Sequence, residues 1–442
     1  MENPLLSRPD RYLRWDVLET HLEEACFLWT QWEQTLSSAL FTLDEVAQGD
    51  EQRLRAHLKA LVAGGRRVCE RLLLPCIEGD DTERLRVAAF VLLAKGEGQD
   101  LSSVLRGLSQ ADEAQRAAFQ RALEVSEAMD LSAGLLRSLL EGDGHDTATL
   151  LEVLAFRQVP LGPRLGVFLG SSDAAVRIAA LRAGRHQPPS DEEARALRGA
   201  LDSSVPEERE AALALGLRRG SRTAWLACPA LAAQADTAGE ISRLALALGG
   251  DARDVERLIR LLEMAPLRRS VLWALGFSGR VAAADACLAH MREPGLAAVA
   301  AEAFCAITGL VLEGAFRQPP APESSMEEER AGPLEEDPDA GLVLPNAQAL
   351  EDWWANSRER FDRSARHLAG KPFSMSLLLD SLELQPMRRR PVLALELAIR
   401  SRGECEVEPR AFSDVQRQRL RRGRTLPASA LFTALFDQRM TT

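Results

Sequence analysis

The chain has 442 residues, and leucine (71) and alanine (67) far outnumber valine (22) and isoleucine (6), so its apolar content is built from helix formers and an all-α protein is expected. With 54 basic and 65 acidic residues the formal net charge is −11, which argues against a sequence-independent nucleic-acid binder driven by counterion release. No apolar run approaches the roughly 18 residues of a membrane span, and MENPLLSRPD does not read as a signal peptide, so a cytoplasmic protein without membrane contact is expected.

The first 80 residues read as a helical cap. From His21 to Leu40, apolar residues Leu22, Ala25, Cys26, Leu28, Trp29, Trp32 and Leu36 recur at helical spacing, and Leu54, Leu58, Leu61 and Val62 form a second stripe before Gly64 and Gly65 interrupt it. Trp29 and Trp32 suit core packing against the first repeat; the functional alternative is an aromatic anchor exposed to a partner.

From 81 to 316 the chain repeats itself. A charged or proline-containing turn precedes small and large apolar residues at helical spacing in DDTERLRVAAFVLLAKG, SDAAVRIAALRAG, VPEEREAALALGLRRG, APLRRSVLWALGFSG and EPGLAAVAAEAFCAITG. Anchored on Ala89, Ala118, Leu151, Ala180, Ala212, Leu244, Leu272 and Ala303, eight copies recur about every 31 residues, the length of two short antiparallel helices. One such pair cannot bury its apolar stripe alone, so neighbours must stack, and Ala88, Ala179, Ala211 and Ala274 let helices approach closely. Asp173 is a candidate N-cap, and Pro206, Pro266 and Pro294 suit first turns. Gly216, Gly249 and Gly276 are expected to end their helices in left-handed backbone.

Residues 317–345 carry six prolines and eight acidic residues against two arginines, an insertion too polar to bury a core. The region 346–442 returns to helical patterning. Leu350 to Phe361 forms a short amphipathic helix with Trp353 and Trp354, and Gly370 to Gly403 reads as one further repeat. Between Arg388 and Arg424 there are 11 arginines and five acids; Arg388, Arg389, Arg390, Arg417, Arg419, Arg421, Arg422 and Arg424 read either as an anion-binding patch or as a polar cap on the last face of the array. Leu431, Leu435 and Phe436 end the chain on a turn expected to dock.

The short period and the R-x-A-A-x-x-A-L-G-like second helix resemble bacterial HEAT-like (armadillo-type) repeats of the kind also found in phycobilin lyases, which implies an α-solenoid with helical caps at both ends. HLEEACFLWTQWEQTL, FTLDEVAQGDEQRLRAHLKALVAGG, FCAITGL and the later WW…RF…RHLAGKPFS resemble a bacterial family of long HEAT-like proteins. Genes of that family tend to lie in type VI secretion clusters, beside spike and PAAR-type tip proteins. The resemblance implies a context, secretion, rather than a mechanism.

Catalytic signatures are absent from the sequence: there is no phosphate loop, dinucleotide fingerprint, HExxH, GxSxG or EF-hand loop. The six histidines are spread without ligand spacing; His145, between Asp143 and Asp146, is the nearest approach to a metal site and reads as a turn. The seven cysteines form no CxxC and read as reduced core thiols. The expectation is therefore a non-enzymatic interaction scaffold with no cofactor and no metal. The resemblance makes it an adaptor or chaperone for a secretion effector, spike or PAAR-type protein, with Trp29, Trp32, Trp353, Trp354, Arg388, Arg389, Arg390, Arg421 and Arg422 as candidate contacts. The alternatives are a toxin-immunity protein or a HEAT-like enzyme of bilin-lyase or nucleic-acid type.

Overall fold

A computed structural model of the chain describes residues 13–94, 98–142, 144–319, 339–427 and 432–440. Among the described residues helix accounts for 71% and strand for 2%, so the class is all-α. Two compact units are present: one comprises Met1–Ser37, Phe41–Leu197 and Val407–Leu420, the other Ser38–Leu40, Arg198–Glu406 and Arg421–Thr442. Among the described residues no helix is long and apolar enough to cross a membrane.

In the first unit, α1 (Trp15–Thr35) packs on α2 (Asp50–Ala63) and on α3 (Thr82–Ala94). The helices α4 (Gly98–Gln110), α5 (Glu113–Val125), α6 (Leu131–Glu141), α7 (Thr147–Phe156) and α8 (Ala174–Gly184) come next. The alternate members α3, α5, α7 and α8 pack in succession, each against the next, while α4 and α6 fill the intervals. Their starts are written in the sequence: Asp112 and Gln115 form a capping box at α5, and Asp173 accepts a 2.8 Å hydrogen bond from the backbone N–H of Ala175 at α8. The anchors Ala89, Ala118, Leu151 and Ala180 lie on these four helices, all buried.

After α9 (Asp191–Leu201), the second unit repeats the arrangement with α10 (Pro206–Arg219), α11 (Arg222–Leu231), α12 (Thr237–Gly249), α13 (Ala252–Leu261), α14 (Arg268–Ser278), α15 (Val281–Ala289) and α16 (Ala297–Thr308). Here α10, α12, α14 and α16 pack in succession and carry the anchors Ala212, Leu244, Leu272 and Ala303. The glycine assignments shift. Gly216 and Gly276 lie inside α10 and α14, and the left-handed residues that stop the helices are Gly220 (φ 74°), Gly279 (φ 64°) and Gly309 (φ 73°). Gly276 is needed for proximity instead: a Cβ there would stand 2.8 Å from Ala303 Cα.

The region after the insertion contributes α17 (Ala347–Ser357), a two-residue hairpin pairing His367–Leu368 with Lys371–Pro372, α18 (Met375–Leu384), α19 (Arg390–Arg400) and α20 (Ser413–Arg424). Its arginines serve the carboxyl ends of the helix row. Arg400 Nη2 donates to the Leu248 carbonyl at 2.9 Å, Arg366 Nη2 to Phe277 at 2.9 Å and Arg389 Nη2 to Gly276 at 3.3 Å, while the N–H groups of His367, Ala369 and Gly370 donate to Gly279, Ala306 and Ile307. Helix ends leave carbonyls without intrahelical partners, and a cation there also meets the negative end of the dipole. Within the first unit, residues 407–420 are held by similar means: Arg121 donates to the Arg410 carbonyl at 2.6 Å, and Phe412 stacks on Trp32 with centroids 4.7 Å apart.

Candidate functional site

The candidate site is a groove in the second unit, and it begins with the face of α16. In AAVAAEAFCAIT, positions 298, 302, 305 and 306 share one helical face, which places Ala298, Glu302, Cys305 and Ala306 side by side along the groove. Gly309 turns the chain out of α16 in left-handed conformation, so Leu310–Glu313 runs on along the same cavity. The opposite walls come from Ala39 and Leu40, from Gly341–Val343, and from Leu384–Pro386 at the end of α18. The groove has a volume of about 530 Å³.

Its rim is unusually apolar. Leu40, Val311 and Leu384 all border the cavity and are 62%, 62% and 70% exposed. Large aliphatic side chains gathered at one opening mark a surface that excludes water on occupation.

Its floor is charged. Glu302 lies 3.4 Å from Arg388 and 3.8 Å from Arg389. Arg389 is 2% exposed and fixed on its other sides: Nε donates to Gln385 at 3.0 Å, Nη2 reaches the Gly276 carbonyl, and the guanidinium lies 4.1 Å from the centre of the Phe277 ring. Burial depresses its pKa to about 10, against the pull of Glu302. Burial also raises the Glu302 carboxyl above its ordinary range although Arg389 and Arg388 oppose this, and it pushes the Cys305 thiol up to about 12. Arg388 also lies 4.7 Å over the Trp273 ring and lines a smaller cavity of about 290 Å³ with Glu240, Leu244, Arg269, Ser270 and Val299.

The structure places the sequence candidates differently from one another. Trp29 and Trp32 are fully buried in the first unit, in an edge-to-face pair extended by Phe90 and Phe412, so the exposed-anchor alternative is corrected to core packing. Trp354 is also interior: its indole donates to Asp285 at 2.8 Å and its ring meets Phe304, with Trp353 stacked beside it and half-buried. Arg389 lines the groove and Arg388 the smaller cavity; Arg390 is buried. Arg421 and Arg422 are exposed on the last turn of α20. Of the arginines read as an anion patch, Arg388 and Arg389 face Glu302, Arg417 pairs with Asp44, and Arg424 pairs with Asp380 and Glu383. Leu431 lies outside the described residues, and Phe436 docks fully buried against Trp225. Most of the acidic insertion, 320–338, also lies outside them.

The groove residues Leu40, Glu302, Val311 and Leu384 escaped sequence reading. The one usable signal was Glu302, the lone charge in an otherwise apolar helix. Among the described residues no group of three or more His, Cys, Asp or Glu is placed to hold a metal ion. Compared with known protein families and with curated proteins, the chain matches none.

Proposed function

We propose that the protein is a non-catalytic, cytoplasmic interaction scaffold built from HEAT-like repeat pairs stacked as an α-solenoid, and that it acts as an adaptor or chaperone for a type VI secretion effector, spike or PAAR-type component. The repeat reading is supported by the eight anchors, about 31 residues apart, that fall on alternate helices of the two rows. The secretion context rests on the sequence resemblance. The observation that carries the binding role is the groove, where three aliphatic side chains more than half exposed surround one cavity. Recognition by such a surface depends on a few desolvated apolar anchors rather than on its whole area.

Photo-crosslinking tests this reading. A photoreactive residue at position 384 should give an adduct with a secretion-cluster protein in the source bacterium, and one at the equally exposed Val167 should not. Adducts of equal yield at both positions, or none at either, would remove the groove from the function.

A further inference from the structure

We infer that His21 and His57 form a two-histidine site for a divalent transition-metal cation of the zinc or nickel class, which ties α1 to α2 within the first unit.

The placement of the two imidazoles carries the inference. His21 Nδ1 and His57 Nδ1 stand 3.0 Å apart, and the ring planes are inclined at 70° with their centroids 5.0 Å apart. Two nitrogens each about 2.0–2.1 Å from one ion, with an angle of about 90–109° between them, lie about 2.8–3.4 Å from each other, so the spacing is that of neighbouring ligands. Neither ring makes another hydrogen bond among the described residues, so no partner at Nε2 fixes the tautomer that a bond between the two Nδ1 atoms requires. With both protons on Nε2 the two lone pairs face each other. A cation between them relieves that repulsion.

The surroundings hold the rings and set the local charge. Leu22, beside His21 on α1, and Leu54 and Leu58, around His57 on α2, are buried where the two helices pack, so the ligands are positioned before an ion arrives. Both rings remain half-buried and reachable from solvent. Glu24, one helical turn beyond His21, brings its negative charge to bear on His57, and its carboxylate has no hydrogen bond or ion pair among the described residues. Arg53, which acts in the opposite sense, is paired with Asp50 at 3.4 Å. Burial and then the neighbouring imidazole hold His57 below its ordinary 6.5, so near neutral pH the ring is uncharged and able to ligate. Imidazole nitrogen suits zinc, nickel and copper, whereas magnesium and calcium demand oxygen. No group of three His, Cys, Asp or Glu is assembled among the described residues, so water completes the coordination and the site is an open chelate.

Isothermal titration calorimetry of the full chain, stripped with a chelator and titrated with zinc, nickel or magnesium chloride, tests the site. Zinc and nickel should each bind saturably as a single ion, and magnesium should not. His21→Gln and His57→Gln should each weaken zinc binding at least about tenfold. His290→Gln, at a half-buried ring 2.6 Å from Glu293, should leave it unchanged. Wild-type affinity in both the His21 and His57 variants would mean an adventitious ion only and overturn the site, as would the absence of zinc binding or equal binding of magnesium. If neither variant keeps its helical circular dichroism, diethyl pyrocarbonate mapping of the wild type by mass spectrometry decides: zinc should protect His21 and His57 and leave His290 reactive, and equal modification of the pair with and without zinc would overturn the site.

Discussion

Arg400 spans the carboxyl end of a helix that precedes it by about 150 residues: its Nη2 donates to the Leu248 carbonyl while its Nε holds Glu396 at 2.6 Å. Glu396 has no exposed surface and also pairs with Arg366, which in turn bonds the Phe277 carbonyl. One carboxylate therefore holds two guanidiniums that each finish a helix of the second unit. Replacing Glu396 with leucine strands both cations, and the expected loss is about 3–5 kcal/mol of unfolding free energy, read by urea denaturation. A loss below about 1 kcal/mol would show that the arginines are held without it.

The same carboxylate sets an acid limit. Burial works against its ionisation, but Arg366 and Arg400 together hold its pKa below the ordinary 4.5. Its contribution is therefore present above pH 4.5 and is lost as pH falls through the depressed folded value. The stability gap between wild type and Glu396→Gln should narrow on acidification below that point, as measured by denaturation across pH.

Glu51 carries the opposite sign. It accepts from Trp32 Nε1 at 3.2 Å and from the backbone N–H and hydroxyl of Ser413 at 3.0 and 2.6 Å, so it caps the start of α20 from another helix. Burial nonetheless raises its pKa above 4.5, with Ser413 opposing. A raised folded pKa means a contribution present in full below 4.5 and lost as pH rises through the folded value. The wild type should thus lose ground against Glu51→Gln as pH increases from 4.5, the reverse of Glu396→Gln.

Glycines separate packing from conformational freedom. Gly276→Ala would bring a methyl group to 2.9 Å from the Ala303 Cβ, and the expected cost is about 1–3 kcal/mol. Gly199, exposed on α9 with nothing within 4 Å of a Cβ, should gain about 0.4–1 kcal/mol on replacement by alanine. Thermal denaturation of the two variants checks both signs.

The buried thiols supply a folding probe. Burial pushes Cys228 and Cys287 up to about 12, so thiolate is scarce at pH 8 and iodoacetamide should leave both unmodified in the native protein and label both in denaturant. Native labelling at either position, located by mass spectrometry, would contradict their packing.

The helix row was legible because its signal is periodic: small and large apolar residues recur, and Ala89, Ala212 and Ala303 fall where their spacing puts them. Helix ends were less so, since Gly216 and Gly276 look like terminators until the later Gly220 and Gly279 are seen to have the positive φ. Arg389 reads with its neighbours as an anion patch or a polar cap because density along a sequence does not reveal that it reaches the Gly276 carbonyl 113 residues away. The groove was hidden for a similar reason. Leu40, Val311 and Leu384 come from separate segments, and each alone is an ordinary exposed aliphatic residue.

Quantitative affinity capture from the source bacterium with the wild-type chain and with Leu384→Asp, a change at a side chain 70% exposed, tests the scaffold role most directly. A spike, PAAR-type or effector protein should be recovered with the wild type and fall at least about tenfold with the variant. Equal recovery by both chains, or none of these proteins above background, would contradict it.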